Sequence, residues 1–324
     1  MANSMITGGF GFVGRHLTRM LLEKGDKVTI FDVVTGSEFL NDVMDKLTVK
    51  VGDLSNWVHV AETVKDNKID TIYHVGAAIP PSSENNPSAA FYANIVGTFN
   101  ILEAARIFGV GSVIFTSTQS SYQEGDYLIP DNFPQRPDTF YGMTKVCGER
   151  LGEAYWRRYG LNFRGVRYCI VNGPGRGGIN PGQFVVWTLQ MAALNRPFKV
   201  FVEPDTKAST IYVMDAAKAL IDLNNAEESK LTRRVYSIVG YSITAQQLVE
   251  GIKKYLPNAK LTFRVNKEMM QKVRDLNLER TMDISPAQND WGFEPEFDLG
   301  RTIQDYINEC TKNRHLLDYQ IPEF

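Results

Sequence analysis

The segment MITGGFGFVGRHL, residues 5–17, joins a short apolar run to an amphipathic one and carries four glycines, Gly8, Gly9, Gly11 and Gly14. No other stretch narrows the fold so far. It holds G-x-G-x-x-G from Gly9 and G-x-x-G-x-x-G from Gly8. Between a first strand and a first helix, such glycines permit a tight turn, let the backbone approach a pyrophosphate and bring helix against strand. The positive end of the helix then favours the phosphate charge. The segment therefore predicts a dinucleotide site at the carboxyl edge of a parallel sheet.

The rhythm of the first 170 residues agrees. NSMIT, KVTIFD, LTVKVGD, TIYHVG, SVIFTST and NFRGVRY read as strands, rich in β-branched and aromatic residues. FVGRHLTRMLLEKG, WVHVAETVKDN, AAFYANIVGTFNILEAARIFG and FYGMTKVCGERLGEAYWRRYG read as helices between them. Strand-helix alternation implies right-handed crossovers and a parallel sheet covered on both faces, a doubly wound Rossmann fold. After about residue 170 the pattern breaks into the loop NGPGRGGINPGQ and shorter mixed elements. The expected organisation is an NAD-binding domain over 1–170, with segments near 206–240 returning to it. Residues 171–324 form mainly a smaller, interleaved substrate domain.

Charge and cysteine usage exclude several classes. Thirty-five basic residues against 37 acidic ones give a formal charge of −2, so no whole-chain attraction to nucleic acid or anionic membrane is expected. No apolar run reaches the roughly 20 residues that span a bilayer. The N-terminus lacks a basic segment followed by an apolar one, and Cys147, Cys169 and Cys310 have no metal or disulfide spacing. A cytoplasmic, metal-free protein with a small-molecule substrate is expected.

Asp32 stands at the end of the second strand, 18 residues after Gly14. A carboxylate there accepts the ribose hydroxyls of an adenosine and repels a 2′-phosphate, and the following VVTGS offers no Arg, so NAD is expected rather than NADP. Asp53, at another strand end, is a partner for the adenine amine or a helix N-cap. Tyr141 and Lys145, in YGMTK, are four residues apart and share a helix face. A phenol titrating near 10 is a poor base at neutral pH. An adjacent ammonium and a cationic nicotinamide would stabilise its phenolate and make it one.

The glycine loop, Asp32, GDL, HVGAA, Asn94 in YANIVGT, TSTQSSY and YGMTK follow the order and spacing of the extended short-chain dehydrogenase/reductase superfamily. The chain resembles its NAD-dependent epimerase/dehydratase group over nearly the whole length. The resemblance implies that Tyr141 transfers the proton, that Lys145 lowers its pKa and binds the nicotinamide ribose, and that Thr118 holds the substrate oxygen, with Ser117 as the fallback. It also implies a cofactor shell of Gly8, Gly11, Phe12, Val13, Gly14, Asp32, Asp53, Leu54, Gly76, Ala77, Ala78, Asn94, Thr116, Tyr141 and Lys145. A homodimer is implied too, through the helix ending near Arg106 and the Tyr-bearing helix.

Departures from the family pattern bear on the substrate. Ile170 and Ala208 replace the Asn and Arg that serve a sugar-nucleotide diphosphate, with Arg176 and Lys207 as compensating cations. Gln119 and Ser120 replace the dehydratases' Asp-Glu pair, and Gln123 stands where glycine is usual. The second half looks most like short-chain-type L-threonine 3-dehydrogenases, yet GGINPGQF replaces their G-G-T-T-D-Y loop, with Ile179 and Asn180 in place of hydroxyls. Pro80, Ser82, Gln119, Ser120, Ile179, Asn180 and Trp187 are the expected substrate contacts. For Trp187 and Phe184, core packing of an amphipathic helix competes with that role. The expected activity is NAD-dependent oxidation of a secondary alcohol. A sugar-nucleotide 4-epimerase retaining NAD, a hydroxysteroid-type dehydrogenase and a non-catalytic NAD-binding protein are the alternatives.

Overall fold

A computed structural model describes residues 2–122, 127–178, 181–276, 278–318 and 321. Its centre is a sheet of seven strands: β1 (Asn3–Thr7), β2 (Lys27–Asp32), β3 (Leu47–Val51), β4 (Thr71–His74), β5 (Ser112–Thr118), β6 (Phe163–Tyr168) and a late strand (Val235–Ile238). With β7 (Ile170–Asn172) and β8 (Lys207–Tyr212) intervening in the chain, that late strand is β9. The spatial order is β9-β6-β5-β4-β1-β2-β3, and every neighbouring pair is parallel. The order reverses between β1 and β4, the switch point at which a doubly wound sheet opens a crevice for ligands.

Burial on both faces explains the strand sequences. Ile6, Ile30, Tyr73, Ile114 and Val166 point to one face, beneath α1 (Phe12–Glu23) and a later helix that returns from β8. Met5, Phe31, Ile72, Phe115 and Phe163 point to the other, beneath α2 (Trp57–Asp66), α3 (Gly97–Phe108) and α4 (Phe140–Tyr159). Glycines seat α4 on the sheet. A Cβ at Gly148 would lie 2.5 Å from the Phe115 ring and one at Gly152 2.2 Å from the Phe163 ring. Helix ends follow local chemistry as well: α3 and α4 stop at Gly109 and Gly160, both left-handed with φ of 69° and 71°.

The expected helix over 89–109 is not continuous. A turn at Pro87–Ala90 leads into a π-helical segment, Phe91–Val96, before α3 begins at Gly97. Asn94, in the π segment, turns its amide onto Ala78 and Thr144, and that tertiary pull accommodates the wider turn.

The smaller part of the molecule grows from the carboxyl end of β6. Only Cys169 separates β6 from β7, which pairs with β8, and β8 pairs antiparallel with β10 (Tyr241–Thr244). The expected returning segment near 206–240 thus divides. β8 stays in the smaller sheet, the helix Val213–Asn225 crosses to pack against α1, and β9 rejoins the main sheet beside β6. The helix α5 (Gln183–Ala193) is buried nearly all round rather than on one face.

Candidate active site

The glycine loop leaves β1 and turns sharply. Gly8 has φ +66°, and a Cβ there would lie 2.7 Å from Gly76 Cα, so the turn after β1 runs against the start of the β4 loop. A Cβ at Gly14 would lie 2.1 Å from the Gly8 carbonyl oxygen. Both positions require glycine for a steric reason. Gly11 precedes α1, whose first turn (Phe12, Val13, Gly14) has neither a side-chain cap nor an acidic residue. Its leading N–H groups and positive end are therefore open to an anion.

Asp32 is half-buried at the end of β2. Its Oδ2 accepts from Phe10 N at 3.1 Å and its Oδ1 from Val33 N at 2.8 Å, which fixes a carboxylate against the glycine loop. Val33 and Val34 beside it are solvent-exposed. Asp53 is not the cap of α2. Asn56 takes that role, accepting from Val58 N and His59 N, while Asp53 closes a turn onto Ser55 N and Oγ. Leu54, next in line, packs under Gly97 and accepts from Asn100 at its carbonyl. A cradle that side chains would fill, an uncapped helix start and a fixed carboxylate fit a dinucleotide without a 2′-phosphate.

β5 ends at Thr118, and the chain turns there because Thr118 Oγ1 accepts from Ser120 N at 3.2 Å. Strand alternation sends Ser117 to the opposite face, where its Oγ donates to Glu149 Oε1 at 2.5 Å. Ser117 is thus committed to the interior and Thr118 is the hydroxyl at the strand end. Thr116, on the same face as Thr118, donates to His74 O at 3.3 Å. Gln119 and Ser120 follow, half-buried, and α4 comes close: a Cβ at Gly142 would lie 2.1 Å from Ser120 O. Tyr141, one residue earlier, is brought to this strand end by that contact.

Lys145, 3% exposed, holds its Nζ 4.7 Å from the centre of the Phe115 ring and 5.8 Å from that of Tyr141. Burial pulls its pKa down to about 7, against the attraction of the Glu149 carboxylate one turn on. Burial pushes the Tyr141 phenol up to about 12, and the charge of Arg176 only partly offsets it. In the protein alone desolvation sets the direction of both shifts, and the charge that partly offsets it at the phenol is that of Arg176.

Behind the site lies a buried hydrogen-bonded chain. His74 Nε2 is 3.0 Å from Thr98 Oγ1, whose hydroxyl donates to Asn94 O, so Nε2 carries the proton and Nδ1 accepts from Thr7 Oγ1 at 2.8 Å. Burial, then the charge of Lys145, pulls His74 down to about 3 and keeps it neutral. Asn94 is 3% exposed; it receives Ala78 N at 2.7 Å and donates to Ala78 O and Thr144 Oγ1. Both ends of its amide thus bind protein, on the loop that follows β4 and on α4. It braces the wall formed by Gly76, Ala77 and Ala78.

Trp187 is also corrected. It is 2% exposed and meets Phe201 edge-on within the core, as Phe184 is packed there too. Pro80 is half-buried and Ser82 exposed on the β4 loop, whereas Gln123, Ile179 and Asn180 lie outside the described residues. Two carboxylates escaped the sequence reading. Glu149 is fully buried and takes Arg167 Nη2 at 2.7 Å, Arg167 Nε at 3.0 Å and Gln135 Nε2 at 2.9 Å. Its signal was present, as the next step of the Tyr141-Lys145 face. Glu84, which binds the start of α4, had none. Among the described residues no group of three or more His, Cys, Asp or Glu is arranged to hold a metal, and no helix is long and apolar enough to cross a membrane.

Comparison with known proteins follows the same lines. The family model described as NAD dependent epimerase/dehydratase family matches residues 4–238. A mitochondrial L-threonine 3-dehydrogenase of Bos taurus is 29% identical over 317 residues, covering 94% of this chain and 81% of that protein. The solved L-threonine dehydrogenase of Clostridium difficile is 26% identical with a TM-score of 0.87, covering 97% of this chain and 98% of its own. A UDP-glucose 4-epimerase of Thermotoga maritima, 21% identical with a TM-score of 0.82 over 96% of this chain and 99% of its own, shares the fold. The architecture alone does not separate the two chemistries.

Proposed function

The chain belongs to the NAD dependent epimerase/dehydratase family, and on that premise we propose that it is a dehydrogenase of small secondary alcohols, with NAD as its cofactor. The observation that supports this reading is the seat of α4: Gly142 lies against Ser120 O, so the turn that carries Tyr141 packs on the segment that follows Thr118 at the carboxyl edge of β5. Bound NAD supplies the acceptor for the hydride that leaves the carbinol carbon. Tyr141, as phenolate, takes the hydroxyl proton. Thr118 orients that hydroxyl by hydrogen bonding, Lys145 gives its ammonium to the pair, and Arg176 adds positive charge that favours the phenolate. Asp32 holds the adenosine ribose and excludes a 2′-phosphate.

L-Threonine is the first alcohol to test, since relatives over most of the chain are L-threonine dehydrogenases. Ile170 and Ala208 are buried and apolar where nucleotide-sugar enzymes of this family place an amide and a guanidinium. That supports an alcohol without a diphosphate handle. Incubation with NAD and a panel of threonine, simple hydroxy acids, hydroxysteroids and UDP-sugars is expected to give NADH absorbance with one of the alcohols. Interconversion of a UDP-sugar without net NADH would replace this reading with epimerisation.

A homodimer is part of the proposal. Phe91, Tyr92 and Phe99 before and on α3, with Met143 and Tyr159 on α4, leave large apolar side chains in solvent, and Phe99 meets Tyr155 of α4 edge-on. A face of this kind suits a second copy of the chain. Phe99→Glu is expected to shift the sedimenting species from dimer to monomer; a wild-type protein that sediments as a monomer at micromolar concentration would refute it.

A further inference from the structure

The first N–H groups of a helix have no partner within the helix. In α4 they are satisfied from two directions. Thr139 Oγ1 accepts from Gly142 N at 3.0 Å, the ordinary cap. Phe140 N and Tyr141 N donate instead to Glu84 Oε2 and Oε1, each at 3.0 Å. Glu84 is 56 residues away from Phe140, on the loop that follows β4, so this contact joins two separate walls of the site.

That loop is rigidly made. Ser82–Asn85 forms a helical turn, Ser83 is fully buried, and its Oγ donates to Glu84 Oε1 at 3.1 Å. Asn86 then caps the following turn through Ala89 N. At the other end of the loop, Asn94 holds Ala78 and donates to Thr144 Oγ1, which in turn donates to Tyr141 O at 2.7 Å. The peptide groups of Tyr141 are therefore gripped on both sides, its N–H by Glu84 and its C=O by Thr144.

We propose that Glu84 is a positioning residue that ties the substrate-side loop to the turn bearing Tyr141, so that an alcohol seated on that loop is registered to the phenol. The inference rests on the reading of Tyr141 as the base. Bonds to a carboxylate are charge-assisted, and an anion at a helix N-terminus is favourable, which supports the grip although Glu84 is exposed. Small errors in the placement of reacting groups are costly to rate, which gives the contact kinetic weight. The same anion opposes the positive end of α4, which otherwise favours a phenolate in its first turn. Among the described residues the charged groups around Tyr141 are Lys145 on its own helix, Arg176 on the loop after β7 and Glu84 at its backbone.

The test uses Glu84→Ala and Glu84→Gln in the full chain. Turnover is expected to fall about ten-fold in the alanine variant and less in the glutamine variant, which keeps one acceptor oxygen. The NAD Kd stays within about two-fold. In Glu84→Ala the acid limb of the kcat profile moves to lower pH by about half a unit, because the helix end is no longer opposed. Ring-carbon NMR of tyrosine in the NAD-bound protein, with Tyr141 assigned through Tyr141→Phe, should show the same displacement. Turnover within two-fold of wild type overturns the proposal. A turnover loss with the limb and the NMR titration both unmoved also overturns it, since it marks a merely structural contact. If the wild type oxidises no alcohol in the panel, the functional reading fails, and the NMR titration still decides for or against Glu84.

Discussion

Tyr141→Phe lowers kcat for alcohol oxidation by about 10³-fold while the NAD Kd stays within about three-fold. The change removes one oxygen and keeps the ring, so the turn of α4 against Ser120 and the packing near Lys145 persist. What disappears is the only step in the proposed scheme that accepts the hydroxyl proton. The pH dependence sharpens the test. Burial pushes the phenol to about 12 in the protein alone, so an unaided Tyr141 is almost wholly protonated at neutral pH. Turnover therefore falls as pH drops through the phenol pKa of the NAD complex. The acid limb must lie well below 12, because the cationic nicotinamide joins Arg176 in favouring the phenolate. A Tyr141→Phe enzyme that keeps a tenth of wild-type turnover would remove Tyr141 from the chemistry.

How much of this was legible in the sequence depends on whether the determining contacts are local. β1, β2 and β5 have the bounds read from the sequence, because each carries a short run of β-branched and aromatic residues that is buried in the sheet. The glycine loop was legible for the same reason, its constraint lying within a few residues of itself. The choice between Ser117 and Thr118 needed more. Adjacent hydroxyls on one strand face opposite ways, and the partner on α4, Glu149, shows which one is turned to that helix. The break in the helix before α3 depends on Ala78 and Thr144, 16 and 50 residues from Asn94. The depressed Lys145, which lies over the Phe115 ring, and the elevated Tyr141 follow from burial, which a four-residue spacing does not contain.

Lys145→Met should make the NAD-free protein more stable and nearly inactive. The folded pKa of Lys145, about 7, lies below the ordinary lysine value of 10.5, so between these pH values the unfolded chain binds the extra proton. Wild-type stability consequently rises as pH increases from 7 to 10.5, and the contribution is lost as pH falls through about 7. Methionine has nothing to titrate and fills similar space against Phe115. Its advantage is largest at or below neutral pH, on the order of 2–4 kcal/mol, or a Tm gain of roughly 5–10 °C, and it shrinks toward pH 10.5. Thermal unfolding of the two proteins across that range checks the slope as well as the sign. Turnover should fall about 10²-fold, since the ammonium that favours the phenolate is gone. A variant less stable than wild type at pH 7, or one whose stability climbs with pH as the wild type's does, would mean that Lys145 is charged and well paired in the folded protein. The lysine is otherwise a residue kept at the expense of stability, in a pocket where an apolar side chain would pack better, because the reaction needs a cation there.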